Sequence, residues 1–204
     1  MIKIDRRLVK EAESFALSLL DEKLSKEYLF HSRDHTQRVA KGALLIARNC
    51  GLREDEINVL LISAYFHDTG YVFSDDNHEK ESSFIAVEFL RNRGAGEEII
   101  GIVSNAILAT QVPQKPKDKI SDILCDADLI HLAGDDYFEQ MELLRLEWQV
   151  TGRHFFDEYQ FHMNSIEFFN NHQYHTEYGK NVLQDKKLAC LRKIQERVES
   201  LRQG

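Results

Sequence analysis

Apolar residues along this chain recur at spacings of three and four, which is the period of one face of an α-helix. The first such segment, about 5–23, carries Leu8, Ala12 and Phe15 at this period, and Asp5 precedes them as a candidate N-cap. The same pattern predicts eight further helices, which cover about 34–50, 54–69, 82–93, 97–110, 120–132, 136–150, 154–171 and 176–202.

Residues that interrupt helices are rare. Two prolines and ten glycines among 204 residues favour long helices over many short strands. Both prolines lie in QVPQKPKDK (111–119), the clearest non-helical segment, which is either the rim of a binding site or a plain surface connection. Neither an internal repeat nor an interdomain linker interrupts the pattern. We therefore predict a single all-α domain over residues 1–204, a bundle of about nine helices.

Charge and cysteine content narrow the expected partners and compartment. A formal net charge of −8 disfavours a nucleic-acid polymer as partner, whereas a small anionic substrate stays compatible with a local metal site. Cys50, Cys125 and Cys190 are odd in number and form no CxxC pair, so we expect reduced thiols in a cytoplasmic protein. The first residues do not form a signal peptide, and no run approaches the roughly 20 apolar residues of a membrane span.

Four polar residues lie on or beside the apolar stripes of three predicted helices: His35, His67, Asp68 and Asp128. A single histidine on an apolar face is more often an ordinary core residue, so the prediction depends on the combination. Burial of imidazole and carboxylate groups requires a partner that offsets the loss of water, and a divalent ion would provide it. Nitrogen and oxygen donors without thiolate suit Mn, Fe, Co, Ni or Mg better than a structural zinc. A shared ion predicts that His35 and Asp128 lie within about 6 Å of each other.

The strings HSRDHTQRVAKGALLIA, LLISAYFHDTGY and ILCDADLIHLAG contain these residues in the order His…His-Asp…Asp. This order resembles the HD superfamily of metal-dependent phosphohydrolases, over about 28–134, with 135–204 as a helical C-terminal extension. The resemblance implies a helical bundle. It also implies that the metal ligands are His35, His67, Asp68 and Asp128.

Two further stretches carry weaker resemblances. FHSRDHTQRV is similar to the Tyr-His-Asn-x-x-His stretch of cyclic-nucleotide phosphodiesterases, which implies that His31 protonates the leaving oxygen; the alternative is a polar loop histidine. NHEKESS is similar to the His-Glu-x-x-Ser run of the superfamily, which places His78 and Glu79 in the pocket, Glu79 as a water-orienting base or a partner of a ligand. Dinuclear members often have a histidine where this chain has Thr110. One ion per chain is therefore expected, with His78 as a candidate ligand of a second.

The resulting hypothesis is hydrolysis of a phosphate ester, with a nucleotide or cyclic nucleotide as the expected substrate, by a metal-activated water. In this hypothesis the catalytic residues are His31, Asp68 and Glu79. A second hypothesis is a regulatory module that binds metal and nucleotide at the same site without turnover, because both functions need the same ligands. A third, an oxygenase with paired irons, requires more ligands than the sequence offers. The expected partner is a small phosphorylated substrate, and a homodimer is compatible with the sequence.

Overall fold

A computed structural model describes residues 4–203, and the regular secondary structure of this part of the chain is entirely helical, with no strand. The all-α prediction is therefore confirmed. The nine α-helices of the described residues are α1 Arg6–Lys23, α2 Arg33–Asn49, α3 Glu54–Phe66, α4 His78–Arg91, α5 Glu97–Ala109, α6 Lys119–Asp128, α7 Tyr137–Val150, α8 Glu158–Asn171 and α9 Gln184–Gln203. Short 3-10 turns cover Thr69–Val72 and Ile130–Ala133, and a π-helical turn, Gly179–Leu183, leads into α9.

The predicted helix ends are confirmed at some places and wrong at others. The Asp5 carboxylate accepts hydrogen bonds from the backbone N–H groups of Arg7 and Leu8, so the predicted N-cap of α1 is confirmed. The predicted start of α4 at Ser82 is wrong, because the polar residues from His78 onward already form its first turn. The predicted start of α8 at 154 is also wrong. The Asp157 side chain accepts from the Gln160 N–H and begins that helix at Glu158.

The first of two compact units contains the described residues up to Ser25 together with His31–Asp128. It includes α1 to α6. One apolar cluster of this unit forms where α1, α3, α4 and α5 pack together, and its residues Ile62, Phe66 and Leu90 are fully buried. The apolar period of these helices therefore predicts the faces that become the core.

The second unit contains Lys26–Phe30 and the described residues from Leu129 onward, with α7, α8 and α9. Its apolar cluster includes Phe161 and Ile194. The single-domain organisation stays a prediction. Within residues 4–203 no helix has the length and apolar character that crossing a membrane requires.

Candidate metal centre

Three helices of the first unit each bring a polar group to one buried place. His35 lies in the first turn of α2, on the same face as the buried residues Val39 and Ala43. His67 and Asp68 directly follow the last residue of α3, and Asp128 is the last residue of α6. His67 is fully buried and His35 is 3% exposed, so water contributes little to their solvation.

The side-chain atoms of these four residues converge at short distances. His35 Nε2 lies 3.2 Å from Asp128 Oδ1 and 3.3 Å from Asp68 Oδ2. His67 Nε2 lies 3.1 Å from the same Asp68 oxygen and 3.4 Å from Asp128 Oδ1, and the two Nε2 atoms are 3.4 Å apart. Ligands held at about 2.1 Å from one ion lie roughly 3 Å apart when they are neighbours around it. The spacing therefore suits His35, His67 and Asp128 as ligands of one cation, with Asp68 beside both imidazoles.

Two hydrogen-bonding details also fit a cation. The His67 Nδ1–H donates to the Ala64 carbonyl oxygen at 2.9 Å, which leaves Nε2 to face the other ligands. Asp68 Oδ2 is buried, and among the described residues no donor reaches it with hydrogen-bond geometry, although both imidazoles lie close. A buried carboxylate oxygen without a donor is unfavourable, and a metal ion would satisfy it. His35, His67 and Asp128 form a group that could hold a metal ion.

The electrostatics of the four residues favour positive charge between the carboxylates. Burial lowers the pKa of His35 and His67, but the neighbouring Asp68 and Asp128 outweigh it, so both imidazole pKa values are raised. Burial raises the pKa of Asp68 and Asp128, but the imidazoles outweigh it and both carboxyl pKa values are lowered. These shifts favour charged carboxylates balanced by protonated imidazoles. A divalent ion would replace those protons.

His78 and Glu79, which the sequence singled out, lie beside this group. The His78 Nδ1–H donates to the Asp75 carbonyl oxygen at 3.1 Å. Its Nε2 atom lies 3.8 Å from Asp68 Oδ1 and 3.4 Å from Glu79 Oε1. Glu79 is 7% exposed. The first turn of α4 therefore adds an imidazole and a buried carboxylate to the site.

Tyr71 is a residue of this region that the sequence interpretation missed. Its ring stacks on that of His31 with 4.3 Å between centroids, and on that of His78 with 4.0 Å. His31 in turn lies 5.8 Å from His35, ring centroid to ring centroid. Tyr71 belongs to a short 3-10 turn without an apolar period, so only its place three residues after Asp68 could have marked it.

The turn that carries Tyr71 is pressed closely against α4. The Gly70 N–H donates to Ser82 Oγ at 2.8 Å. A Cβ atom on Gly70 would lie 2.0 Å from the His78 carbonyl oxygen, so a side chain does not fit there. Glycine at this position therefore allows the turn and the first residues of α4 to meet.

Comparisons with known proteins agree with this arrangement. Residues 33–133 match the HD domain family. No curated protein matches the chain by sequence. The fold is similar to that of a Lactobacillus plantarum protein, with a TM-score of 0.72, 16% identity and coverage of 98% of this chain and 100% of that one. It is also similar to a predicted HD superfamily hydrolase from an uncultured Thermotogales bacterium, with a TM-score of 0.61, 18% identity and coverage of 96% and 92%.

A third similar structure is that of Bacillus subtilis YpgQ in complex with ADP, with a TM-score of 0.65, 16% identity and coverage of 95% of both chains. At these identities the structural likeness shows a shared fold. The matched segment contains His35, His67, Asp68 and Asp128. Residues 33–133 of this chain therefore belong to the HD domain family.

Proposed function

We propose that this protein is a phosphohydrolase that holds one divalent ion between His35, His67, Asp68 and Asp128 and hydrolyses a phosphate ester. One observation supports this most directly: four ligand atoms from three helices converge within 3.4 Å of their neighbours around a buried Asp68 oxygen that lacks a donor. When bound, an ion of Mn, Fe, Co, Ni or Mg supplies Lewis acidity and lowers the pKa of a water molecule.

The carboxylates of Asp68 and Asp128 would attract the ion into a site from which water is largely excluded. Their lowered pKa values keep them charged at neutral pH, so the site offers two negative charges to a divalent cation. The Nε2 atoms of His35 and His67 complete the set. In this proposal Asp68 also orients the attacking water, because its two oxygens face different neighbours, the imidazoles on one side and His78 on the other.

His31 and Glu79 would move the protons of the reaction. His31 lies next to the metal ligand His35, at a distance suitable for protonating the leaving oxygen of a bound ester. Glu79 is buried beside His78, and it would orient the water or accept its proton. The products would be an alcohol and a phosphate monoester or inorganic phosphate, depending on the ester cleaved.

The proposed substrate class is the nucleotides. The support comes from the structure of the YpgQ protein in complex with ADP, which has the same fold. A divalent cation at the site would also favour a phosphate group over a neutral ester. The cytoplasmic location, the single ion and the homodimer stay predictions.

The decisive experiment uses the protein loaded with Mn²⁺, with the metal measured by elemental analysis. Nucleoside mono-, di- and triphosphates, cyclic nucleotides and p-nitrophenyl phosphate are tested for turnover. We expect activity with at least one nucleotide, and loss of that activity in Asp68→Asn. Asp76→Asn, an exposed position in the loop before α4, is the matched control and should behave as the wild type.

Two outcomes would contradict the proposal. Absence of turnover with every substrate, despite a stoichiometric ion, would exclude a phosphohydrolase of this substrate range. If nucleotides then raised the melting temperature without product formation, the regulatory module would be the better description. Turnover that Asp68→Asn retains would place the chemistry elsewhere in the molecule.

A further inference from the structure

We propose that Tyr71 is a positioning residue whose ring fixes the imidazoles of His31 and His78 at the edge of the metal centre. Its effect on catalysis rests on the function proposed above, but the ring geometry can be tested without any activity. Tyr71 lies outside the predicted ligand set and outside the predicted catalytic residues.

The first argument is the geometry of the three rings. Tyr71 stacks on His31 with an interplanar angle of 23° and on His78 with an angle of 19°. The two imidazoles are 6.4 Å apart and inclined at 41° to each other. Tyr71 thus contacts each histidine more closely than the histidines contact one another. The tyrosine ring is the group that links them.

The second argument is that the backbone holds Tyr71 firmly. Thr69 Oγ1 donates to the Phe66 carbonyl oxygen at 2.8 Å, and Gly70 is bonded to Ser82 at the same distance. Tyr71 itself is 4% exposed. The turn therefore has few alternative conformations, and the ring is a fixed surface for both imidazoles.

The third argument concerns what the two histidines do. His31 is the proposed proton donor, and His78 lies beside Asp68 and Glu79. Without the Tyr71 ring each imidazole would have more freedom about χ1 and χ2, and an error of about 1 Å in the position of a catalytic group can reduce the rate about 10²-fold. One ring thus sets the geometry on both sides of the proposed reaction centre.

A purely structural role for Tyr71 is the competing explanation, and three variants separate the two. Tyr71→Phe keeps the ring, whereas Tyr71→Leu removes it but stays apolar. Phe89→Leu is the matched control, because Phe89 is a buried aromatic residue in the core of the same unit and is 3% exposed. Each variant is compared with the wild type for melting temperature, metal content and nucleotide turnover.

The direct measurement is NMR of the imidazole C–H groups, assigned with His31→Gln and His78→Gln. In the wild type and in Tyr71→Phe we expect ring-current shifts upfield of random-coil positions for both histidines. In Tyr71→Leu these shifts should be lost. Unshifted imidazole resonances in the wild type would overturn the proposal, and this result does not depend on the Tyr71 variants.

The kinetic measurement separates positioning from stability. We expect kcat of Tyr71→Leu to fall about 10²-fold, with KM changed much less and metal content unchanged, while Tyr71→Phe and Phe89→Leu stay near the wild type. Equal losses in Tyr71→Phe and Tyr71→Leu would overturn the role of the ring. If the wild type has no turnover, the proposed function fails, and the NMR shifts still decide whether Tyr71 orders the two histidines.

Discussion

The Nε2 atom of His35 lies 3.2 Å from Asp128 Oδ1, although 93 positions separate the two residues along the chain. One residue lies at the beginning of α2 and the other at the end of α6, and these helices pack directly against each other. Their contact completes the candidate metal centre, because the chain just after α3 contributes only His67 and Asp68. The packing of α2 on α6 is therefore required to bring His35 and Asp128 together.

The first prediction concerns the ligand on α6. Asp128→Asn removes a buried charge that attracts the cation, so we expect Mn²⁺ affinity to fall by at least about 10²-fold. Isothermal titration calorimetry of the metal-free protein measures the effect. Asp122→Asn lies on the same helix and serves as the control. Unchanged affinity in Asp128→Asn would remove this residue from the ligand set.

The second prediction concerns the turn beside Tyr71. Gly70→Ala places a Cβ atom against the His78 carbonyl oxygen, so we expect the free energy of unfolding to fall by about 1–3 kcal/mol or more. Gly101→Ala in α5 is the control, since no atom lies within 4 Å of its Cβ, and it should stabilise by up to about 1 kcal/mol. Urea unfolding of both variants measures this difference in the free energy of unfolding. A Gly70→Ala protein as stable as the wild type would contradict the prediction.

The third prediction concerns a buried lysine in the second unit. Lys187 is 2% exposed, and its Nζ donates to the carbonyl oxygens of Phe169 and His172 at the end of α8. Lys187→Met leaves both acceptors without this donor, so the free energy of unfolding should fall by about 2 kcal/mol or more. Lys186→Met, at the adjacent exposed position, should have little effect. Equal stability of the two variants in urea would show that the hydrogen bonds contribute little.

The fourth prediction is a pH dependence that originates in His172. Burial, with the charge of Lys187 as the next cause, lowers its pKa to about 3. The unfolded chain, with a histidine pKa near 6.5, therefore binds more protons than the folded chain, and the free energy of unfolding falls as the pH drops below about 6.5. Between pH 6.5 and 5 this contribution is about 1.6 kcal/mol.

The test compares the wild type with His172→Gln, so that the contribution of this one histidine is isolated. Urea unfolding at pH 7 and pH 5, at constant metal concentration, should show a smaller loss of stability in the variant. His154→Gln, at an exposed position, is the control. If the wild type and His172→Gln lose the same free energy of unfolding between pH 7 and pH 5, the pH dependence originates in other groups.

Several features of the fold could be read from short stretches of sequence. The apolar period predicted the existence of the helices, and Asp5 predicted the beginning of α1, because both signals act over a few residues. Where no such local signal marks the beginning of a helix, the predicted first residue was wrong. The predicted start at Ser82 was wrong because the residues from His78 onward form a polar first turn with no apolar stripe.

For the candidate site, the sequence marked seven residues that the structure brings into one region: His31, His35, His67, Asp68, His78, Glu79 and Asp128. It marked them through their places at helix ends and through a family resemblance. Neither the position at a helix end nor the family resemblance indicates how far apart the side-chain atoms lie. The stack of Tyr71 on His31 and His78, and the approach of Gly70 to α4, join segments that are separate along the chain, so no local pattern indicates them.

The sequence by itself determined the helical class of this protein and the chemical identity of the candidate ligands, because hydrophobic period and side-chain type are local properties. Only the tertiary structure decided that the ligand atoms meet, that Asp68 Oδ2 is buried without a donor, and that Tyr71 lies against two histidines. These relationships arise from the packing of helices that are distant in sequence, which depends on the shapes of all the buried side chains together.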